Sequence, residues 1–243
     1  MKILSLREII KLDQVEHVKN ERNILQQLDH PFLLSLTWAC RDKNYIYLIF
    51  PYVSQTIEML LNKPHLDIQI SGGELFSYLR CYGKFNLDTT LFYITEIITA
   101  ITYLHSLNII YRDLKPENIL LDKSGHAVIT DLGFSRKVEP GERCWTQCGT
   151  PDYMAPEIIL EAGHEKCVDW WALGILTYEL LTGRPPFARD KFTLYQSILL
   201  GKVRWPVNIN TIVKDFMEQL LASQCDKRLG HGESGSQDVK NHK

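Results

Sequence analysis

The sequence has no long hydrophobic run, no C-x-x-C pair, no excess of one charge, and no repeated or low-complexity tract. Each lack removes a class of protein. A membrane-spanning helix needs about 20 mostly apolar residues in a row. The most apolar long stretch, 91–111, is broken by Glu96, Thr99, His105 and Asn108, so it reads as a buried helix with its trailing segment. No basic leader followed by an apolar core opens the chain, so no signal peptide is expected. The 27 Lys and Arg nearly balance the 29 Asp and Glu, for a formal net charge of −2. That balance gives no reason to expect a nucleic acid or an anionic membrane as partner. The six cysteines, Cys40, Cys81, Cys144, Cys148, Cys167 and Cys225, are scattered. They are expected to be reduced thiols of a cytoplasmic or nuclear protein rather than a zinc site or a disulfide framework.

What is present is ordinary for a soluble globular chain: 243 residues, 45% hydrophobic and 23% charged. That length suits one large domain or two lobes sharing a cleft. Residues 1–6 read as the end of a strand. Apolar spacing predicts a helix over 14–28, with Val18, Leu25 and Leu28 on one face and Glu21 on that same face. The apolar runs 32–38 and 45–53 predict a strand pair turning at Asp42-Lys43-Asn44. Residues 54–71 interrupt this order, and Gly72-Gly73 restarts it. Beyond them helices dominate. Leu91, Ile94, Ile98, Ile101 and Leu104 keep helical spacing, and Asp122-Lys123-Ser124-Gly125 marks a hairpin turn. Residues 168–181 are apolar nearly all round, the mark of a helix buried at the centre, and Gly183 ends it. Further helices are expected over 191–200, stopping at Gly201, and over 212–221. The fold class is α+β: a small strand-rich part, then a large helical one.

The chemistry concentrates in Tyr111-Arg112-Asp113-Leu114-Lys115-Pro116-Glu117-Asn118 and, thirteen residues beyond Asn118, in Asp131-Leu132-Gly133. Phosphoryl transfer needs this kit. One carboxylate orients the attacking hydroxyl, a cation neutralises the transferred group, and an amide oxygen with a second carboxylate holds magnesium on the phosphates. Gly133 lets the backbone turn sharply after Asp131.

These two segments resemble the signature loops of eukaryotic protein kinases, with Tyr111 where many members have His. Trp145-Thr146-Gln147-Cys148-Gly149-Thr150-Pro151-Asp152-Tyr153-Met154-Ala155-Pro156-Glu157 is similar to the activation segment of the AGC group, which includes the cyclic-nucleotide-dependent kinases. Asp169-Trp170-Trp171-Ala172-Leu173-Gly174 is similar to that group's central helix. The resemblance implies a bilobal fold: a partial N-lobe and hinge over 1–53, an insertion over 54–71, and a C-lobe over 72–243. It implies ATP and Mg as cofactors. Asp113 would be the catalytic base, Lys115 would steady the phosphoryl group, and Asn118 and Asp131 would bind magnesium. Lys2 with its partner Glu21, and Phe50, Tyr52 and Val53 of the hinge, would meet the nucleotide. Glu21 also follows from its own position, since a carboxylate on an apolar helix face needs a cation.

By the same resemblance Thr146 is a phosphorylation site, read by His17, Arg112 and Arg136. Glu157 and Arg228 form a buried ion pair, and Asp169 braces the catalytic loop. Glu74, Glu117 and Glu179 would receive arginines of a basic substrate, since carboxylates suit bidentate guanidinium. Thr150, Pro151 and Met154 would line the substrate site. Gln147 stands where the family has an apolar residue. Leu132 replaces the usual Phe after Asp131, a mild apolar swap. A cyclic-AMP-binding regulatory subunit is the implied partner, docking near Trp145.

In the family a glycine-rich loop precedes the strand lysine and a C-terminal tail follows the domain; here Lys2 is the second residue. With the 54–71 insertion, these departures are read as marks of a fragmentary gene model or splice form, and the chain as written is expected to bind ATP weakly. The competing readings are a non-catalytic kinase-like binding module and a metal-dependent hydrolase. The latter lacks a further cluster of metal ligands.

Overall fold

The computed structural model describes residues 1–53, 73–187 and 191–242. The expected insertion at 54–71 lies outside the described residues. Strands β1 (Lys2–Ser5), β2 (Trp38–Arg41) and β3 (Tyr45–Ile49) make one antiparallel sheet in the order β1-β3-β2. Lys2 stands opposite Leu48 in this sheet, so it is held by a ladder, not frayed. Asp42 closes the β2–β3 turn, its Oδ1 accepting the N–H groups of Asn44 and Tyr45, both at 2.7 Å.

Two helices join β1 to β2. The short α1 (Leu6–Lys11) is capped by Ser5 and buries only Ile9, too little apolar pattern to announce itself. Then α2 (Val15–Leu25) buries Glu21, Ile24 and Leu25 on one face. It stops three residues short of the expected end, though Leu28 is still buried. Residues 32–37 are not the expected strand, which begins only at Trp38. They dock on the large part instead: Ile129 donates its N–H to Phe32 O and Leu34 donates to Ile129 O, both at 2.9 Å. Leu33, 3% exposed, fills the core there, which is why this segment is apolar.

The larger part is built on helices. After β4 (Gly73–Glu74) come α3 (Leu75–Tyr82) and the long α4 (Leu87–Ser106), capped by Asn86. Short strands β5 (Ile109–Ile110), β6 (Ile119–Leu121), β7 (Ala127–Ile129) and β8 (Arg136–Lys137) form two small sheets, β4-β6-β7 and β5-β8. The expected hairpin is β6–β7, its turn tied by Asp122 Oδ1 to the N–H groups of Ser124 and His126. The short α5 (Pro156–Ile159) precedes α6 (Cys167–Thr182), which is buried at every position from Cys167 to Leu180. Gly183 ends α6 at φ +80°, where a side chain would collide with the carbonyl oxygen of Gly83. Of the last three helices, α8 (Thr211–Leu220) packs on α6, α7 (Lys191–Leu200) on α5 and α9 (Ser236–Lys240) on α4.

The two-part α+β architecture is the one the sequence indicates. Among the described residues the larger hydrophobic cluster runs through both parts, from Leu25, Leu33 and Leu48 to Leu104, Leu173 and Leu176, and a smaller one gathers Tyr178, Val213 and Met217. Among the described residues no helix is long and apolar enough to cross a membrane. A further expectation is overturned. Cys167 and Cys225 form a disulfide, with Cα atoms 6.4 Å apart, while Cys40, Cys81, Cys144 and Cys148 are free. The partners are separated by 58 residues, and the packing of α6 against α8 brings them together.

Candidate active site

A buried carboxylate shapes the loop that follows β5. Asp169, fully buried in the first turn of α6, accepts the N–H groups of Tyr111 at 2.9 Å and Arg112 at 2.8 Å, and sits 2.8 Å from His105 Nε2. Arg112 consequently holds φ +70°, a conformation costing a non-glycine residue about 1 kcal/mol or more. The carboxylate sustains that strain, and the turn sends Asp113 and Lys115 to one point.

There the side chains form a closed network. Asp113, 3% exposed, accepts from Asn118 Nδ2 at 2.7 Å through Oδ2, and Lys115 Nζ lies 2.8 Å from that same oxygen. Asp113 Oδ1 accepts from the Thr150 hydroxyl at 2.9 Å and the Thr150 N–H at 3.1 Å. Lys115 also donates to the Thr150 hydroxyl at 2.8 Å. Asn118 sits in the 3₁₀ turn Pro116–Asn118, and its Nδ2 further donates to the Asp113 carbonyl at 2.9 Å, which fixes the orientation of its amide. Charge-assisted bonds of this kind are the strong ones.

Asp131 follows β7 at φ +49°, with its side chain 49% exposed. Its Oδ1 accepts the Gly133 N–H at 3.2 Å, and a Cβ at position 133 would lie only 3.1 Å from that oxygen. Lys2 Nζ donates to Glu21 Oε1 at 2.7 Å and lies 3.4 Å from Asp131 Oδ1, so one ammonium bridges the small sheet, α2 and the large part. Burial pulls the Lys2 ammonium down, but the hydrogen bond and charge of Glu21, with Asp131 behind, outweigh it and hold it above its ordinary value. These groups line a cleft of about 260 Å³ with Leu25, Leu34, Phe50 and Leu132. Of the expected hinge residues, Phe50 faces this cleft. Val53 is half-buried outside its lining, and Tyr52 is 85% exposed.

Thr146 is exposed in the segment between β8 and α5. Among the described residues no hydrogen bond or ion pair links it to His17, Arg112 or Arg136. His17 is exposed on α2, and Arg136 pairs with Glu142 at 3.4 Å. Arg112 donates Nε to Phe134 O at 2.7 Å, yet its Nη1 is buried without a partner. Its charge is felt on both sides of Thr146. Burial pushes the Cys144 and Cys148 thiols up, and Arg112 partly opposes this at both. Burial, then the charge of Arg112, depress His164 to about 4. The far end of the segment is anchored by Glu157, which receives Arg228 Nη1 at 2.6 Å and Nη2 at 2.9 Å inside the protein.

The three acids expected to receive arginine are not equivalent. Glu179 is 2% exposed and is already bonded to the Tyr153 hydroxyl and, at 3.4 Å, to Arg80. Burial raises its pKa; Tyr153 and Arg80 oppose the rise, and Glu117 and Asp152 add to it, which places Glu117 in the same neighbourhood. Glu74 is exposed at the start of α3. Met154 is buried and Pro151 half-buried, in and just after the 3₁₀ turn Pro151–Tyr153. Three contacts escape sequence reasoning: the bridging hydroxyl of Thr150, the His105–Asp169 bond and the Arg80–Glu179 pair. No local spacing encodes partners 37, 64 and 99 residues apart.

Residues 1–243 match the family model described as the protein kinase domain. Over 244 residues the chain is 50% identical to cAMP-dependent protein kinase catalytic subunit 3 of Drosophila melanogaster, covering all of this chain and 39% of that protein. It is 47% identical to cAMP-dependent protein kinase catalytic subunit PRKX of Homo sapiens, covering 63% of that protein. To the cAMP-dependent protein kinase catalytic subunit of Dictyostelium discoideum it is 45% identical, covering 35% of that protein. The chain therefore spans less than two thirds of the length of these relatives. With a matching family model along its whole length and the loop geometry above, the chain belongs to the protein kinase domain family.

Proposed function

We propose that this chain carries the catalytic machinery of a serine/threonine protein kinase, which transfers the γ-phosphoryl group of ATP to serine or threonine in arginine-containing proteins. The observation that carries this reading is the Asp113–Lys115–Thr150–Asn118 network beside a cleft where Lys2 joins Glu21 to Asp131. Asp113 aims the substrate hydroxyl and accepts its hydrogen bond. Lys115 keeps a positive charge where negative charge is transferred. The amide oxygen of Asn118 and the exposed carboxylate of Asp131 are hard oxygen donors, the set that suits magnesium. The metal would supply charge neutralisation of the phosphates. The Lys2 ammonium, raised and partly exposed, suits the phosphates themselves.

The regulation and partners of the relatives extend this reading. Phosphate on Thr146 would find the unpartnered Arg112 Nη1, with Arg136 freed from Glu142. A substrate arginine reaching Glu179 would share it with Arg80. Trp145, 65% exposed, would anchor a cyclic-AMP-binding regulatory subunit. The expected compartment is the cytoplasm or nucleus. The test is transfer of labelled phosphate from Mg-ATP to an arginine-rich serine peptide. Asp113→Asn should lower the rate about a hundred- to a thousandfold. Near-normal turnover by that variant would remove Asp113 from its role.

A further inference from the structure

The Cys167–Cys225 pair lies at the anchor of the activation segment rather than in a remote part of the core. Cys167 opens α6, two residues before Asp169, and is 2% exposed. Its carbonyl accepts from Arg228 Nη1 at 3.0 Å, and its Sγ lies 3.3 Å from Glu157 Oε1. Cys225 is half-buried, three residues before Arg228, with His231 Nδ1 3.5 Å from its sulfur. The pair thus joins the helix that holds the catalytic loop to the segment that supplies Arg228.

We propose that Cys167 and Cys225 are a thiol–disulfide exchange site that sets how firmly the activation segment is held. Its consequence for catalysis rests on the kinase reading; the redox site itself does not. In the dithiol state the Cys167 S–H donates to Glu157 and competes with Arg228 for that carboxylate. In the disulfide state that donor is gone, and Glu157 belongs to Arg228 alone. The oxidant is a low-molecular-weight disulfide. Cys225, the more accessible sulfur, gives its proton to His231 Nδ1 and attacks the reagent, breaking its S–S bond and expelling one thiolate. Cys167 then attacks the Cys225 sulfur, passing its proton through Glu157 Oε1 to water, and expels the second thiolate. The protein loses two electrons and two protons, and the reagent becomes two thiols.

The full chain would be equilibrated in glutathione buffers from fully reduced to fully oxidised, then quenched, alkylated and mapped by mass spectrometry without reduction. The expected product is a reversible 167–225 cross-link lighter by two hydrogens. The oxidised form should melt about 5–10 °C higher, as closure of so long a loop predicts. Tryptic cleavage within the activation segment at Arg143 should slow about fivefold or more. Cys225→Ser and Cys167→Ala should each abolish both shifts. Three results would overturn the proposal. The redox-dependent shifts could map to Cys40, Cys81, Cys144 or Cys148. The cross-link could form with melting and cleavage unchanged. The reduced protein could bind one equivalent of added zinc through Cys167, Cys225 and His231, whose ligand atoms lie within 4.8 Å of one another. None of these readouts involves phosphoryl transfer, so loss of the kinase reading would leave them intact.

Discussion

Thr150 shows how a residue's role depends on what its side chain touches. The resemblance assigns it to the substrate site, yet in the structure it spends both its N–H and its hydroxyl on Asp113 and receives Lys115. It therefore fixes the Asp113 carboxylate and the Lys115 ammonium relative to each other. Thr150→Val, which keeps the shape and removes the hydroxyl, should lower kcat about 10- to 100-fold with KM for ATP little changed, and Thr150→Ser should restore it. Steady-state kinetics of the two variants decide this; equal loss in both would reduce Thr150 to packing. His164 is tied to pH. It is 3% exposed, and its Nε2 has no partner. The folded imidazole titrates at about 4, against 6.5 as the ordinary value. The unfolded chain therefore binds the extra proton first as pH falls. Stability should be complete above pH 6.5 and decline between 6.5 and 4, by on the order of 3 kcal/mol from this group. Urea unfolding at pH 5 and pH 7 should show a smaller difference in His164→Gln than in the parent chain, and an unchanged difference would refute the assignment.

Between elements, Glu157 of α5 and Arg228 after α8 form a buried, bidentate ion pair outside the cleft. The Arg228 guanidinium is wholly buried, paired bidentately, and stacked 5.1 Å from the Trp171 ring. Removing one partner of a buried pair leaves an uncompensated charge, so Glu157→Gln should cost about 3–5 kcal/mol in denaturant unfolding. A loss below about 1 kcal/mol would mean that water reaches the site. The elements also show what the sequence makes legible. The long α4 and the buried α6 follow from periodicity and from its absence, and the β6–β7 hairpin follows from its Asp122 turn. The loop after β5 is readable because Asp113, Lys115 and Asn118 lie within six positions of one another, so one local motif names them together. The segment 32–37 is not readable: an apolar run docked as coil on Ile129 has the composition of a strand. The short α1 fails for the opposite reason, having one buried residue. The Cys167–Cys225 bond fails because sequence spacing carries no information on a contact made by tertiary packing.

For the whole molecule, the decisive contact is the one that couples its two parts across the cleft. The core is continuous beneath, through Leu33 and Leu48; above it Lys2 ties the small sheet to Glu21 on α2 and to Asp131 on the large part, beside the bond from Asn20 Nδ2 on α2 to Ser135 O. This ammonium serves two ends. It neutralises Glu21, which is 5% exposed and would otherwise be a buried unpaired carboxylate, and it presents positive charge to the cleft. The two ends can be separated. Lys2→Met keeps the apolar stem and removes the charge, so it should destabilise the fold by about 1–3 kcal/mol and weaken Mg-ATP binding about tenfold or more. Adding Glu21→Gln removes the stranded carboxylate and should recover most of the lost stability. It should not recover the affinity, because the Lys2 cation proposed to meet the phosphates is still missing. Thermal unfolding and nucleotide titration of the single and double variants measure the two quantities independently. If the double variant regained nucleotide affinity together with stability, Lys2 would be a structural residue only, and the cleft would have to hold phosphate by other means.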